Sequence, residues 1–357
     1  MNFKKLKKLS ILFLLPITIG IVFSFAPKHK SLEKDFKEML GSNFIIGFMG
    51  NRIDKKTEEI IKYIKPGGII LYARNCDNGE QLKKIIDGLQ KIAKETSNYK
   101  FFIMIDEEPG GATRIGAFDD VFDSGKPNWS KINNNIKVLS NLGINVNLAP
   151  VCDYPFNGDS FIKDRISTNN VENLISFNKN FIELSEGNNV STVLKHFPGM
   201  GFFTIDPHKE IPALSVKTNL FGESLSIFKE GIEAGSKFVM MDHAVYKDVD
   251  KNIASLSPKI IKDMLIGQLG FKGIIMTDDM ADMPILVGTK MEIDEATIDA
   301  IKAGNNMVMF SHRPEDTKNI FDAVLKRAEK DGIFRAEVEK NYEKIMDFKK
   351  GNPTYKF

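Results

Sequence analysis

The chain has 357 residues, 42% hydrophobic and 27% charged, and this length and balance suit one large globular domain. The formal net charge is +2, and the interspersed acidic and basic residues argue against a nucleic-acid-binding protein with a concentrated basic face. Cys76 and Cys152 match neither a metal-ligand spacing nor a disulfide framework, so we expect two free thiols rather than a single disulfide.

The first thirty residues have the pattern of a signal peptide or an uncleaved membrane anchor. Four lysines within residues 4–8 precede an apolar stretch, residues 9–26, that is close to the length that spans a bilayer. The basic flank should stay in the cytoplasm, so we expect an exported bacterial protein, periplasmic or at the cell surface. Ala26 is placed like a cleavage site, but Pro27 disfavours cleavage, so residues 1–30 are either removed or anchor the protein.

Residues 31–350 alternate short apolar runs with longer amphipathic segments, a pattern typical of strands followed by helices. The predicted strands are Phe44–Met49, Gly68–Tyr72, Phe101–Asp106, Ile144–Pro150, Thr192–Phe197, Phe238–His243, Gly273–Asp279 and Asn306–Phe310. Continuous apolar runs favour parallel strands buried on both faces. Eight such units predict a single α/β domain, a (β/α)8 TIM-type barrel. The alternative, a doubly wound open sheet, usually carries a glycine-rich phosphate loop after its first strand, and none is seen there.

Polar residues follow several of these runs at their carboxyl ends. Asp106 closes the third run, Lys195 and His196 close the fifth, His243 closes the sixth, and Asp278 lies at the end of the seventh. In a barrel, the carboxyl ends of all strands surround one mouth, where active sites of this fold lie. The sequence therefore predicts one site at that mouth, built from several strands.

The densest group of such residues is the segment 195–208, KHFPGMGFFTIDPH. It combines a Lys-His pair, a Pro-Gly-x-Gly loop and an Asp-x-His pair formed by Asp206 and His208. This stretch resembles the signature of glycoside hydrolase family 3, in its β-N-acetylglucosaminidase (NagZ-type) branch, whose pattern is KH-F/I-PG-x-G-x4-D-S/T-H. Softer matches, such as LYARN and NLAPVCDY, extend the resemblance over roughly residues 43–312.

The resemblance implies the catalytic groups of a retaining glycosidase. The run GIIMTDDM matches the segment that holds the family's nucleophile, which implies Asp278, whereas Asp279 fits equally well as a helix cap. The Asp-x-His match implies that His208 is the general acid/base and that Asp206 orients it, because a histidine exchanges protons near neutral pH. The glycines of the PGMG sequence would give this loop its backbone freedom.

Substrate contacts follow from the same match. The resemblance implies sugar-binding roles for Asp106 in IDEEPGGATR, Arg165 in IKDRIST, Lys195 and His196, and a pocket wall formed by Met240 and His243 in VMMDHAVY. Lys195 could instead form a rim ion pair, and Met240 fits core packing equally well. No metal or organic cofactor is implied.

Some residues depart from the family pattern. Gly111 stands where the family usually has an arginine that contacts the sugar. Phe202 and Phe203 replace a common Asp-Thr pair, which predicts a more apolar leaving-group site. None of these changes alters the implied catalytic residues, so we expect catalysis to be retained.

The resemblance thus implies an exo-acting retaining β-N-acetylhexosaminidase that removes terminal non-reducing β-GlcNAc from peptidoglycan fragments or chitin-like oligosaccharides. Its partners would be GlcNAc-containing glycans or muropeptides and the membrane, not nucleic acid, and it would be a monomer. A phosphorylase is one alternative, because a histidine acid/base does not repel an incoming phosphate. A surface-anchored sugar-binding protein with a decayed site is another, motivated by Gly111 and by Pro207, which replaces Ser or Thr within the Asp-x-His pair.

Overall fold

The computed structural model describes residues 35–123, 125–166, 168, 170–206, 210–281, 291–311 and 314–357. The predicted signal or anchor segment, residues 1–30, lies outside these residues. None of the helices within the described ranges is long and apolar enough to cross a membrane.

Eight parallel strands close into a barrel, and their order around it follows the chain. They are β1 (Phe44–Ile46), β2 (Gly68–Leu71), β3 (Phe102–Ile105), β4 (Val146–Asn147), β5 (Ser191–Phe197), β6 (Phe238–Met241), β7 (Ile274–Asp279) and β8 (Met307–Phe310). The last strand pairs with the first, with Phe44 opposite Val308, which closes the sheet. The predicted TIM-type barrel is confirmed, although β4 is much shorter than the run that predicted it.

Helices cover the outside of the barrel. They are α1 (Lys55–Ile64), α2 (Gly79–Thr96), α3 (Trp129–Leu142), α4 (Val171–Gly187), α5 (Thr218–Glu233), α6 (Ile293–Ala303), α7 (Pro314–Ala328) and α8 (Gly332–Gly351), with a π-helical segment, Lys259–Gln268, before β7. Several of them begin after an Asp or Asn whose side chain accepts a backbone N–H of the first turn, as Asp54 and Asn78 do. These caps fix where the loops at the barrel mouth end.

The side chains of each strand alternate between the barrel interior and the layer beneath the helices, as a period of two requires. Phe102 and Met104 on β3, and Ile274 and Met276 on β7, belong to one buried interior cluster. Ile103 and Ile275 lie in the outer clusters instead. The next interior-facing position on these strands lies two residues beyond the last apolar one. These positions form the first polar layer at the carboxyl ends of the strands.

The opposite end of the barrel is closed by α8 and the turn that follows it, Pro353–Tyr355. Ile345 and Tyr355 join the interior cluster, and the Tyr355 ring meets Phe102 edge-on with 4.9 Å between ring centroids. The Tyr355 hydroxyl lies 3.0 Å from Ser191 Oγ and donates to the Asn145 carbonyl oxygen at 3.2 Å. This end is therefore packed solid, and the carboxyl ends of the strands form the open mouth.

Candidate active site

The floor of the mouth is a buried network of ion pairs formed by residues on β5 and in the loops after β3 and β4. Lys195 Nζ lies 2.7 Å from Asp106 Oδ1 and 2.6 Å from Glu108 Oε1. Arg165 grips Glu108 through both carboxylate oxygens, at 2.5 and 3.0 Å. Arg114 reaches the second oxygen of Asp106 at 2.9 Å. The structure thus brings together Asp106, Arg165 and Lys195, three of the predicted substrate-binding residues.

The two acids of this network stay ionised. Burial would raise the pKa of the Asp106 carboxyl, but Lys195 and Arg114 outweigh it and hold that pKa below its usual value. Burial likewise opposes ionisation of Glu108, and Lys195 and Arg165 lower its pKa strongly. Both carboxylates are therefore fixed acceptors, and the cations around them are fixed donors.

Glu108 and Arg114 had no role in the sequence-based prediction. Glu108 follows Asp106 by two residues, so a period of two places both on one face, and this signal could have revealed it. Arg114 ends the same IDEEPGGATR segment as Asp106. Without a ligand, Lys195 forms ion pairs, as the alternative prediction for this residue stated.

Gly111 is required by the shape of this loop. A Cβ atom at this position would lie 2.3 Å from Glu108 Oε2, and that oxygen is already held by Arg165 and by the Ala112 N–H at 2.8 Å. Any side chain at position 111 would displace the carboxylate. Arg114, which follows in the same loop, supplies the arginine that contacts Asp106.

A second group joins two acids through a histidine. His196 Nδ1 lies 2.6 Å from Asp153 Oδ2, and its Nε2 lies 3.8 Å from Asp278 Oδ2. Asp153 is fully buried and also accepts the backbone N–H groups of His196 and Met200. A carboxylate that accepts three N–H groups fixes the imidazole with Nδ1 as the donor, so Nε2 faces Asp278. Asp153 is a further residue that the sequence analysis did not assign to the site.

The adjacent aspartates Asp278 and Asp279 have different surroundings. The Asp279 carboxylate is buried and accepts from the Ser311 N–H, the Ser311 hydroxyl and the Ala281 N–H. The Asp278 side chain is 16% exposed at the mouth; its Oδ1 accepts the Asp279 N–H at 2.8 Å, and its Oδ2 faces His196. The structure therefore places Asp279 in a loop-anchoring role and leaves one oxygen of Asp278 directed at the mouth.

Met240 and His243, on and after β6, were predicted to shape the pocket wall. Met240 is 2% exposed and belongs to the interior cluster, in register with Met276 on β7. Its contacts match the core-packing alternative. His243 is also buried, with Nδ1 2.7 Å from Ser255 Oγ. Burial lowers the pKa of His243, so its imidazole is neutral.

The predicted acid/base pair lies at the edge of the described structure. Asp206 is half-buried in the loop that leaves β5, whereas His208 lies outside the described residues. The role of this pair therefore stays a prediction.

The first part of the same loop is tightly held, contrary to the backbone freedom expected of its glycines. A Cβ atom at Gly199 would lie 2.0 Å from Ser224 Oγ, and one at Gly201 would lie 1.6 Å from the Tyr154 carbonyl oxygen. The Tyr246 hydroxyl donates to the Gly199 carbonyl oxygen at 2.8 Å. The glycines thus permit close packing, and only the φ of +124° at Gly199 uses the left-handed region.

The prediction that Phe202 and Phe203 make the leaving-group site apolar is wrong. They are 5% and 4% exposed and belong to the core between the barrel and its helices. Phe202 stacks on Phe156 with 4.8 Å between ring centroids, and Phe203 meets Tyr246 edge-on. The two rings anchor the loop from beneath.

The chain is similar to several known proteins. The Glycosyl hydrolase family 3 N terminal domain matches residues 31–348. The beta-hexosaminidase of Vibrio cholerae is 27% identical over 288 residues, which cover 76% of this chain and 83% of that protein.

Two solved structures share the fold. The beta-N-acetylhexosaminidase of Beutenbergia cavernae superposes with a TM-score of 0.78 at 26% identity, covering 89% of this chain and 98% of that one. The glycoside hydrolase family 3 beta-N-acetylglucosaminidase of a Paenibacillus species gives 0.76 at 26% identity, covering 87% of this chain and 62% of that longer one.

Proposed function

Because the chain belongs to glycosyl hydrolase family 3 and is a glycoside hydrolase, we propose that it is an exo-acting retaining β-N-acetylhexosaminidase. Its substrates would be peptidoglycan fragments or chitin-like oligosaccharides that end in a non-reducing β-GlcNAc. The names of its relatives support the sugar, and one observation supports the mechanism. Asp278 directs an oxygen into the mouth, whereas Asp106, Glu108, Asp153 and Asp279 are held by fixed partners.

The ion-pair floor suits the hydroxyl groups of a terminal sugar. Each hydroxyl donates one hydrogen bond and accepts others, so neighbouring hydroxyls require acceptors and donors side by side. Asp106 provides an ionised acceptor, and Lys195, Arg114 and Arg165 provide donors around it. A floor of this kind would hold the non-reducing end and place the glycosidic bond above Asp278.

The reaction would proceed in two displacements. Asp278 Oδ2 would attack the anomeric carbon while His208 donates its proton to the leaving oxygen, which gives a glycosyl ester on Asp278 and the free aglycone. His208, now neutral, would take a proton from water as that water attacks the same carbon. The C–O bond to Asp278 would then break, releasing the sugar with retained configuration and restoring both residues.

The fixed neighbours would keep Asp278 in position. His196 is oriented by Asp153 at 2.6 Å, and its Nε2 lies 3.8 Å from Asp278 Oδ2, which is too far for a hydrogen bond. The Asp279 N–H holds the other oxygen. A nucleophile oriented in this way would approach the anomeric carbon with little reorganisation.

The proposal extends to location and assembly. Residues 1–30 would direct export, and residues 31–350 would act as a monomer in the periplasm or at the cell surface, where cell-wall fragments are turned over. The basic cluster and the apolar stretch of residues 9–26 support this part of the proposal.

Hydrolysis of chromogenic β-GlcNAc and β-glucoside by the purified protein tests the activity. We expect turnover of the β-GlcNAc compound, a kcat lower by at least about a thousand-fold in Asp278→Ala, and a loss of roughly 10²- to 10⁴-fold in His208→Ala. Asp279→Asn is the matched control, because it changes the adjacent carboxylate and should lower stability more than kcat. Wild-type turnover in folded Asp278→Ala would refute the assignment.

The same assay separates hydrolysis from phosphorolysis. Adding inorganic phosphate should leave the product as free GlcNAc. A sugar 1-phosphate that appears only with phosphate would instead show that the enzyme is a phosphorylase.

A further inference from the structure

A short segment after β6, residues 242–247, is attached to both ends of the loop that follows β5. At the start of that loop, the Tyr246 hydroxyl donates to the Gly199 carbonyl oxygen at 2.8 Å. At its far end, the backbone N–H groups of residues 245 and 247 donate to the carbonyl oxygens of residues 212 and 214, at 2.8 and 3.0 Å. The predicted acid/base pair lies between these two attachment points in the sequence. Segment 242–247 therefore constrains the chain on both sides of that pair.

The start of the loop is held at three consecutive carbonyl oxygens. Those of residues 197, 198 and 199 accept hydrogen bonds from the Asp242 N–H at 3.0 Å, the Ser224 hydroxyl at 2.8 Å and the Tyr246 hydroxyl at 2.8 Å. Tyr246 is 1% exposed, and its ring packs against Phe203 and Phe221, with ring centroids 5.4 and 5.7 Å apart. The packing of the ring thus fixes where its hydroxyl lies.

The Tyr246 hydroxyl has more acceptors around it than it has hydrogens. Besides the Gly199 carbonyl oxygen, its oxygen is in hydrogen-bond contact with Asp242 Oδ2. A phenol carries a single hydrogen, and neither a carbonyl oxygen nor an ionised carboxylate can donate one. Both contacts are complete hydrogen bonds only if the Asp242 carboxyl brings the second hydrogen and the Tyr246 oxygen accepts it. Sharing one hydrogen between two acceptors would leave a buried carboxylate poorly compensated.

The surroundings of Asp242 favour a neutral carboxyl. The residue is 0% exposed, and its Oδ1 accepts the Ala244 N–H at 3.0 Å. Within the described part of the chain no lysine or arginine forms an ion pair with it, in contrast to the acids at the floor of the mouth. Burial raises the pKa of Asp242 well above its ordinary value, and the nearby carboxylates of Asp153 and Asp278 raise it further. The adjacent His243, whose pKa is lowered by burial, is neutral and does not offset this effect.

We propose that Asp242 is a positioning residue that carries a proton at neutral pH. Its neutral carboxyl donates to the Tyr246 oxygen, and the Tyr246 hydroxyl is thereby left to donate to the Gly199 carbonyl oxygen. This relay would fix the start of the loop after β5 and, through it, the approach of His208 to the leaving oxygen. The link to catalysis rests on the proposed function, whereas the proton on Asp242 follows from the contacts alone.

Infrared spectroscopy can detect this proton directly. In protein with isotope-labelled aspartate, the carbonyl band of a protonated side chain is separate from the bands of ionised ones. We expect the wild type at pH 7 to show an aspartic acid band that is absent from Asp242→Asn. The amide of this variant donates and accepts as the neutral acid does, so kcat/KM should stay within about two-fold of the wild-type value.

The pH dependence of stability measures the same proton independently. The unfolded chain releases it near pH 4, whereas the folded protein retains it, so Asp242 makes the wild type less stable as the pH rises above that value. Asparagine does not titrate, and the urea midpoint of Asp242→Asn relative to wild type should therefore rise from pH 5 to pH 8. An Asp242 that is ionised in the folded protein would leave this difference constant.

Tyr246→Phe tests the positioning role, with Tyr355→Phe at the closed end as the matched control. The change removes the donor to Gly199 and keeps the ring. A misplaced acid/base slows the departure of a poor leaving group most, because a nitrophenolate leaves with little protonation. The kcat/KM of Tyr246→Phe should therefore fall at least about ten-fold more on the GlcNAc disaccharide of chitin than on nitrophenyl β-GlcNAc. Tyr355→Phe should change neither.

The infrared and stability measurements require no turnover, so they test the proton even if the proposed function fails. No aspartic acid band in the wild type at pH 7, or a constant stability difference from pH 5 to pH 8, overturns the proton on Asp242. Should Asp242→Asn not fold, a shift of the band in Tyr246→Phe assigns it to Asp242. Equal losses of kcat/KM on the two substrates in folded Tyr246→Phe overturn the positioning role.

Discussion

Each end of the barrel buries a lysine, but only the lysine at the mouth is paired with carboxylates. At the mouth, Lys195 is 1% exposed and bridges two carboxylates, those of Asp106 and Glu108. At the closed end, Lys349 is 2% exposed; its Nζ donates to the Gly67 carbonyl oxygen at 3.0 Å and lies 4.3 Å from the centre of the Phe102 ring. No described carboxylate pairs with it, and burial lowers its pKa to about 7.

This difference shows that burial does not by itself identify a functional lysine. A buried ammonium between carboxylates keeps its proton and holds those carboxylates ionised and oriented for a ligand. A buried ammonium without a carboxylate gives up its proton close to neutral pH and then serves mainly to fill space. The mouth is thus organised to retain charge, and the closed end to complete the core.

Replacing Lys195 by methionine should disrupt the ion-pair network at the mouth. The change leaves Asp106 and Glu108 buried with less compensation, so we expect a loss of about 3–5 kcal/mol in the free energy of unfolding at pH 7. Activity on β-GlcNAc should also be lost. Urea denaturation and the chromogenic assay measure the two effects.

The stability difference between wild type and Lys195→Met should depend on pH. In the wild type, the pKa values of Asp106 and Glu108 are lowered, so their contribution to stability is present above their ordinary pKa values, near 4, and disappears as the pH falls through the lowered ones. The stability difference between wild type and Lys195→Met should therefore shrink in acid. Equal unfolding free energies at pH 7 would show that the ion pairs contribute little.

Replacing Lys349 by methionine should have the opposite effect on stability and raise the free energy of unfolding. The folded wild type holds the lysine with a pKa of about 7, against about 10.4 in the unfolded chain, so the unfolded state binds more protons between these values. Wild-type stability therefore rises with pH across this window, and at pH 7 the variant should be more stable by roughly 2–4 kcal/mol.

Thermal unfolding of Lys349→Met from pH 7 to pH 10 measures this effect. The advantage of the variant should be largest at pH 7 and should have nearly vanished by pH 10, while kcat/KM stays at the wild-type value. A variant less stable than wild type at pH 7 would mean that the contacts with Gly67 and Phe102 outweigh the cost of burial.

Replacing Tyr355 by phenylalanine should have the smallest effect. The ring packing on Phe102 remains, and only the hydroxyl contacts with Ser191 and the Asn145 carbonyl oxygen are lost. We expect a loss of about 1 kcal/mol in the free energy of unfolding and no change in kcat/KM. A change in kcat/KM at constant stability would show that the two ends of the barrel are coupled.

The sequence predicted the barrel well because each strand is buried on both faces and reads as a continuous apolar run. It did not predict how the barrel is closed. The amphipathic pattern of α8 does not show that Lys349 faces the interior, and nothing in the turn after α8 shows that Tyr355 does. Propensity identifies a helix, but only its packing against the barrel determines which side chains enter the core.

The sequence predicted some residues of the candidate site and missed others. Residues at the ends of strands, such as Asp106 and Lys195, were found because a charged residue ending an apolar run stands out. Asp153 and Arg114 lie in loops, where polar residues are common and carry no such signal. The two phenylalanines after the PGMG loop were misplaced because exposure within a loop depends on what the loop packs against.

The closed end has a consequence for the order of folding. Residues 345–355 complete the interior of the barrel, and β1 pairs with β8 across more than two hundred residues of chain. Contacts so distant in sequence form late, because a long loop must close before they stabilise anything. During synthesis, therefore, most of the chain stays in an incomplete state, with its apolar strands accessible to chaperones, until α8 and the turn after it have been made.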